Sequence, residues 1–370
     1  MGSGVGLGPM TEREAPAAEE HARSRSIIEA AIRAPNGENC QPWRFALTVT
    51  GFDVWFIPGR AASLFDVSDL GSRMALGALL ETAQLAGRPV GVGVRWELDP
   101  DPAAPLLWAR VSLDSCEAQA EPLAAAIALR QTNRLPYERT PLTAEEQASL
   151  LAEVGPAARV CLATDRVRIE RIAQLTAVAD KIRIENQQAH AGLHRWLRWT
   201  AAEVEATRDG LDVGGLCVKG KELWVLRFLR PWWRMRLAAS LGVARIMASY
   251  THRNVESSGA ILCVSVRELS PVTAVAAGQV LQRAWLRVTQ LGLSAAPLGA
   301  PTLFPLRLEH SGRDAFGPRH AEMLAPLPAA LRGVFGLDEG ERALLMLRVG
   351  RAAPMPVWSL RRTVDDLVAQ

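Results

Sequence analysis

The chain has 370 residues, of which 49% are hydrophobic and 22% charged, with a net charge of +3. That composition describes an ordinary globular protein with ample core, long enough for two domains of roughly 150 to 200 residues each. So small and scattered a positive charge does not point to nucleic acid, and five widely spaced cysteines without a Cys-x-x-Cys pair indicate neither a disulfide framework nor a zinc site. No apolar run approaches the roughly 20 residues needed to span a bilayer, and no basic-then-apolar leader pattern opens the chain. A reducing compartment, the cytoplasm, is the expected location.

Residues 1–22 are expected to be a flexible tail, rich in Gly, Pro, Ala and Glu without periodicity. Ile27, Ile28, Ala31 and Ile32 then give the apolar stripe of a helix, which Pro35 stops. The next stretch, Ala34-Pro35-Asn36-Gly37-Glu38-Asn39-Cys40-Gln41-Pro42-Trp43-Arg44-Phe45, is a polar loop between apolar elements. Its amides offer a donor and an acceptor together, which suits a flat heterocycle with a mixed hydrogen-bonding edge. They equally suit a plain turn, since Asn and Gly tolerate left-handed backbone angles.

Phe45, Leu47 and Val49 begin a strand, residues 53–57 form a second, and residues 70–86 form a helix apolar on nearly every face, which therefore belongs in the middle of the molecule. Two further strands are expected at 90–98 and 106–113. From about residue 129 the same plan repeats: strands at 160–163 and 260–266, a helix over 275–291, and a closing strand at 343–349. An internal duplication, with one chain imitating a symmetric dimer, is the economical explanation. Residues 185–256 have no counterpart and are rich in Trp and Arg, including Trp196, Trp199, Trp224, Trp232 and Trp233. They read as a helical lid over a ligand site, as a plain packing element, or as a membrane-surface patch.

Two stretches carry candidate chemistry. In Leu129-Arg130-Gln131-Thr132-Asn133-Arg134, two guanidinium groups flank a hydroxyl; this is either a phosphate clamp or a solvated helix end. His190 and His194 have helical i, i+4 spacing but no neighbouring glutamate or third ligand, and are expected to be exposed rather than metal-binding. No Gly-x-Ser-x-Gly elbow occurs.

The 34–45 loop closely resembles the A-P-S-x-x-N-x-Q-P-W-x-F signature of the nitroreductase-like flavoproteins, with Asn36 where that family has serine. The Arg130, Thr132, Arg134 element resembles the family's R-x-S/T-x-R phosphate clamp, displaced to follow the loop instead of preceding it. Residues 292–299 and the Gly350-Arg351 segment followed by Arg361-Arg362 resemble the backbone that lies along the flavin and the terminal phosphate contacts. The resemblance is nearest to the long, single-chain Acg-like type. It implies an α+β fold of two tandem degenerate nitroreductase halves, 23–125 and 126–370, forming an intrachain pseudo-dimer with an inserted lid. It further implies one FMN, held by Pro35, Asn36, Asn39, Gln41, Arg130, Thr132, Arg134, Pro297, Leu298, Gly299, Arg351, Arg361 and Arg362. No catalytic side chain is implied, because flavin carries the hydride. The implied activity is transfer of reducing equivalents from NAD(P)H to a small electron-poor acceptor, a nitroaromatic or a quinone. FMN storage behind a closed lid and a biosynthetic flavin oxidase or dehydrogenase are the alternatives. Either a monomeric pseudo-dimer or a homodimer is compatible with it.

Overall fold

The computed structural model of the protein describes residues 14–218 and 220–369. Residues 1–13 of the expected tail lie outside the described residues. The helix α1 (Glu14–Ala31) already includes residues 14–22, so the tail reading extended too far along the chain. Alanine and glutamate dominate there, and both favour helix, while Pro16 falls in the first turn, where a missing N–H costs nothing.

Strands β1 (Trp43–Thr48) and β2 (Gly51–Phe56) form a tight hairpin, followed by α2 (Leu70–Gly87), β3 (Val92–Leu98) and β4 (Leu107–Ser115). The sheet is antiparallel, in the order β1-β2-β4-β3. A second sheet follows. It uses β5 (Ala158–Ala163), β6 (Ala260–Val266), β7 (Ser294–Leu298) and β8 (Arg342–Gly350), antiparallel in the order β5-β6-β8-β7. Both sheets therefore run first, second, fourth, third. Each has its long buried helix between the second and third strands: α2 in one, and Pro271–Gln290 in the other.

Between β5 and β6, where the first sheet has only a tight turn, lie α3 (Arg166–Glu185), α4 (Gln187–Trp196), α5 (Lys221–Phe228), α6 (Trp232–Ser240) and α7 (Val243–Glu256). The inserted segment thus begins at α3, earlier than residue 185. Ile169, Ile172, Ala173 and Ile182 of α3 pack on the face of β6 that presents Ile261 and Cys263, while Leu262 and Val264 point to the opposite core. Covered on both sides, β6 is buried at every position rather than at alternate ones, and apolar but for Ser265. The Pro271–Gln290 helix is α8, and α9 (Ala300–Ser311) joins α3 on the outer face.

The two units meet along α2 and α8 at very short range. A Cβ on Gly77 would lie 1.9 Å from the Val275 carbonyl oxygen, and one on Gly278 would lie 1.9 Å from that of Met74. Each glycine thus meets the carbonyl three residues before the other, the reciprocity of a two-fold contact. Further along, Gln282 donates to the Thr82 hydroxyl at 2.8 Å, and Thr82 donates to the Ala78 carbonyl at 2.6 Å. The final segment crosses between the units: Val368 bridges Phe45 of β1, with Leu367 in the first core, while Thr132 bridges Ala295 of β7 in parallel within the second. Among the described residues no helix is long and apolar enough to cross a membrane.

Candidate functional site

At the junction of the two units is a cavity of about 440 Å³. Four parts of the chain meet there: the loop after α1, residues 130–134, the facing sides of α2 and α8, and the segment after β8, with α4 and residues 211–215 of the insert closing one side.

The loop is bent by three non-glycine residues with left-handed backbone, Glu38 (φ 49), Asn39 (φ 55) and Gln41 (φ 49). Such angles persist only where surroundings over-determine them, and functional sites are where they collect. Here Asn36 closes the turn: its Oδ1 accepts the Gln41 backbone N–H at 2.8 Å and its Nδ2 donates to the Ala34 carbonyl at 3.2 Å. Asn39 Nδ2 donates to the carbonyls of Gly210 and Leu360, at 3.1 and 3.0 Å, leaving its buried Oδ1 without a partner.

Of the residues expected to hold a flavin, Pro35, Asn36, Asn39, Arg130, Thr132, Arg134, Pro297, Gly299 and Arg361 line this one cavity. The other four do not. Gln41 is fully buried and its amide is already committed, Nε2 donating to the Arg208 carbonyl at 2.9 Å and Oε1 accepting the Arg362 backbone N–H at 2.9 Å. It fastens the insert to the final segment instead. Leu298 pairs with Met346 inside the sheet and packs in the outer core. Arg351 is held by Glu146 at 2.7 Å, and Arg362 donates to the Asp366 carbonyl. Of the terminal pair, Arg361 lines the cavity and Arg362 does not.

The cavity has an electropositive wall. Arg130 stacks over the Trp285 ring, 4.7 Å from its centroid, and donates to the Arg33 carbonyl. Burial pulls its pKa down to about 9, with the nearby charge of Arg361 adding to the effect. Arg361 donates to the Ile32 carbonyl at 3.0 Å and is lowered to about 10 by burial and then by Arg33; Arg134 is lowered mainly by burial. No carboxylate is among the groups acting on these three. Buried cations without counter-charge are costly, and an anion in the cavity would offset that cost. Four buried polar atoms of lining residues also lack partners: Asn39 Oδ1, Arg130 Nε, Gln131 Oε1 and Trp285 Nε1. Two are acceptors and two are donors, the complement of a ligand with a mixed polar edge.

Acid groups line the same cavity. The Glu38 carboxyl is raised by burial against the opposing charge of Arg183, and Asp66 by burial against hydrogen bonds from the Ser72 hydroxyl (2.5 Å) and N–H (3.0 Å). The Cys40 thiol is pushed up to about 12, chiefly by burial, which leaves it protonated and unfit as a nucleophile. Glu38, Asp66, Gln131 and Trp285 were not among the expected site residues. Gln131 sits inside the arginine stretch, but Trp285 lies among Leu281, Ala284 and Val288, where a tryptophan reads as core.

His190 and His194 are half-buried within the insert rather than exposed, their rings 4.3 Å apart. His190 Nε2 lies 2.9 Å from the Arg230 carbonyl, and burial lowers His194 to about 4. Among the described residues one His–carboxylate cluster could hold a cation, Glu170, His252 and Glu256, but its groups are engaged as ion pairs, His252 with Glu170 at 3.0 Å and Glu256 with Arg139.

The fold and the cavity together define an α+β protein of two four-stranded antiparallel units with a buried, anion-accepting site at their junction. No family model matches the chain. It is similar to an uncharacterized Mycobacterium tuberculosis protein, MT1398, at 29% identity over 93% of this chain and 48% of that one. It is also similar to a candidate NAD(P)H nitroreductase, acg, of the same species, at 27% identity over 46% of this chain and 53% of the relative. The chain thus spans about half the length of the curated relatives it matches. Among solved structures, the FMN- and NADPH-dependent nitroreductase NfnB from sphigopyxis sp. strain HMH aligns with 67% of this chain and 98% of its own, at 20% identity and a TM-score of 0.35. The FMN-dependent nitroreductase NfnB of Mycobacterium smegmatis, solved with NADPH, aligns with 64% and 94%, at 16% identity and a TM-score of 0.33.

Proposed function

We propose that the protein is an FMN-dependent oxidoreductase of the nitroreductase-like type, made of two tandem halves, which passes reducing equivalents from NAD(P)H to a nitroaromatic or quinone acceptor. The observation that carries the reading is the wall of buried Arg130 and half-buried Arg134 and Arg361, with no carboxylate acting on them, facing a cavity with orphaned amide and ring atoms. The acg similarity and the signature in the 34–45 loop support it. When bound, FMN supplies the redox chemistry through its ring system. The chain's own task is binding and orientation. Arg130, Arg134 and Arg361 would take the phosphate, Asn39 Oδ1 and Gln131 Oε1 would accept from ligand N–H or O–H groups, and Trp285 Nε1 would donate. At Pro297 and Gly299 little side chain stands between the backbone and the ligand.

The test is anaerobic absorbance of FMN-loaded protein mixed with NADH and then NADPH, following the oxidised-flavin band near roughly 450 nm. Rapid bleaching is expected, followed by reoxidation with a quinone. Failure to retain FMN would overturn the reading. A second reading, FMN storage behind a closed cover, is favoured by the way the insert is tied across the loop. Gly210 exchanges hydrogen bonds with Asn39, Arg208 receives Gln41, and Arg195 donates to the Gly59 carbonyl at 2.5 Å. Under that reading dithionite bleaches the flavin and nicotinamides do not.

A further inference from the structure

The outer helices of the insert present an apolar face to solvent. Trp224, Val225 and Phe228 of α5, Trp233 and Leu237 of α6, Leu241 just beyond it, and Ile246 and Tyr250 of α7 are all exposed, Trp233 at 61% and Leu241 at 77%. These residues form a surface rather than a scatter. The Trp224 and Phe228 rings stack at 5.2 Å, and the Arg234 guanidinium bridges Phe228 and Trp233, lying 4.6 and 5.1 Å from their centroids. Along α6 the exposed positions 233, 237 and 241 recur every four residues, and along α7 Ile246 and Tyr250 do the same, which keeps each set on one stripe. The opposite side is the anchored one: Leu229, Met235 and Ala244 are buried together with Ile184 of α3.

Charge surrounds this face. Residues 221–253 contain seven basic side chains and a single acid, Glu222, in a chain whose net charge is only +3. Arg227, Arg230, Arg236 and Arg245 are exposed. Exposed tryptophan and leucine beside arginine is the composition that partitions to the headgroup region of a bilayer, where the rings lie at the interface and guanidinium groups meet phosphate. Two copies joined face to face would instead confront their arginines with one another.

We propose that the α5–α7 face docks on an anionic lipid bilayer, holding the protein at the membrane surface without spanning it. The proposal is independent of what the cavity binds. Its test is sedimentation of the purified full chain with vesicles of phosphatidylcholine alone and of phosphatidylcholine mixed with phosphatidylglycerol. Binding to the mixed vesicles is expected, with little to the neutral ones and progressive release by salt. The Trp224→Ser, Trp233→Ser variant removes only exposed rings, and Arg236→Glu, Arg245→Glu only exposed charges; each weakens vesicle binding by about tenfold or more, with an unchanged melting temperature. Equal recovery with and without anionic vesicles overturns the proposal. So does a concentration-dependent dimer that the tryptophan variant dissolves, which would make the face a contact between copies.

Discussion

At the scale of single residues, Arg130 and Arg134 are an investment that only a ligand anion returns. Hydrogen bonds to charged groups contribute about 1.5–3 kcal/mol each. The Arg130→Ala, Arg134→Ala variant should therefore bind FMN about a hundredfold more weakly or worse, as read by fluorescence titration. Without ligand its melting temperature should not fall, because one buried and one half-buried cation without a carboxylate partner have been removed; a strongly destabilised apoprotein would mark these arginines as structural. The residue pattern left a phosphate clamp and a solvated helix end both open, and only the family resemblance pointed to the clamp; the structure puts Arg130, Thr132 and Arg134 on the cavity wall. Gln41 was not legible, because an amide does not reveal which partner it takes. Its partner, the Arg208 carbonyl, lies 167 residues away in an insert whose path no local pattern describes.

At the scale of elements, α2 was legible from its apolar circumference and α8 from its apolar positions Val280, Leu281, Ala284, Trp285 and Val288, but their contact was not. Gly77 and Gly278 look like ordinary helix-weakening glycines in the sequence. In the structure each admits a backbone carbonyl at a distance no side chain allows. Gly278→Ala should cost about 3 kcal/mol or more, since the neighbour is main chain and cannot turn aside. Gly77→Ala should do the same. Combined, they should cost less than the sum, because separating the helices once relieves both clashes. Urea denaturation of the three variants measures it, and full additivity would mean that the two contacts are independent. The edges of seven of the eight strands were legible to within a few residues, but β7 was not expected as a strand, and the start of the insert was not legible either: α3 carries a regular apolar face and is identifiable as inserted only once β5 and β6 are seen to be neighbours.

At the scale of the whole molecule, the insert is joined through Asp209 to Arg60, which in turn donates to the Cys40 carbonyl of the loop. Burial alone would raise its carboxyl, but Arg198 and Arg60 hydrogen-bond to it and hold it below the usual carboxylate range. Its contribution is fully present above the ordinary value of 3.8 and fades as pH falls through the lower folded value. Asp209→Asn at neutral pH should loosen residues 208–212 from the loop and raise the rate of flavin reduction by NADPH severalfold, with reduction by dithionite unchanged. Stopped-flow absorbance decides it, and an unaltered rate would mean that the cover does not limit access.

The crossing of the final segment bears on how the protein is made. Arg361 reaches the Ile32 carbonyl across 329 residues, and Val368 completes the edge of β1. Residues 32–45 therefore wait for residues 361–368, although domains ordinarily fold as they leave the ribosome. Until residue 368 has emerged, Phe45 lacks its edge partner and the basic wall lacks Arg361. A nascent chain stalled short of that point should expose the edge of its first sheet to chaperones and, on the proposed function, capture no flavin.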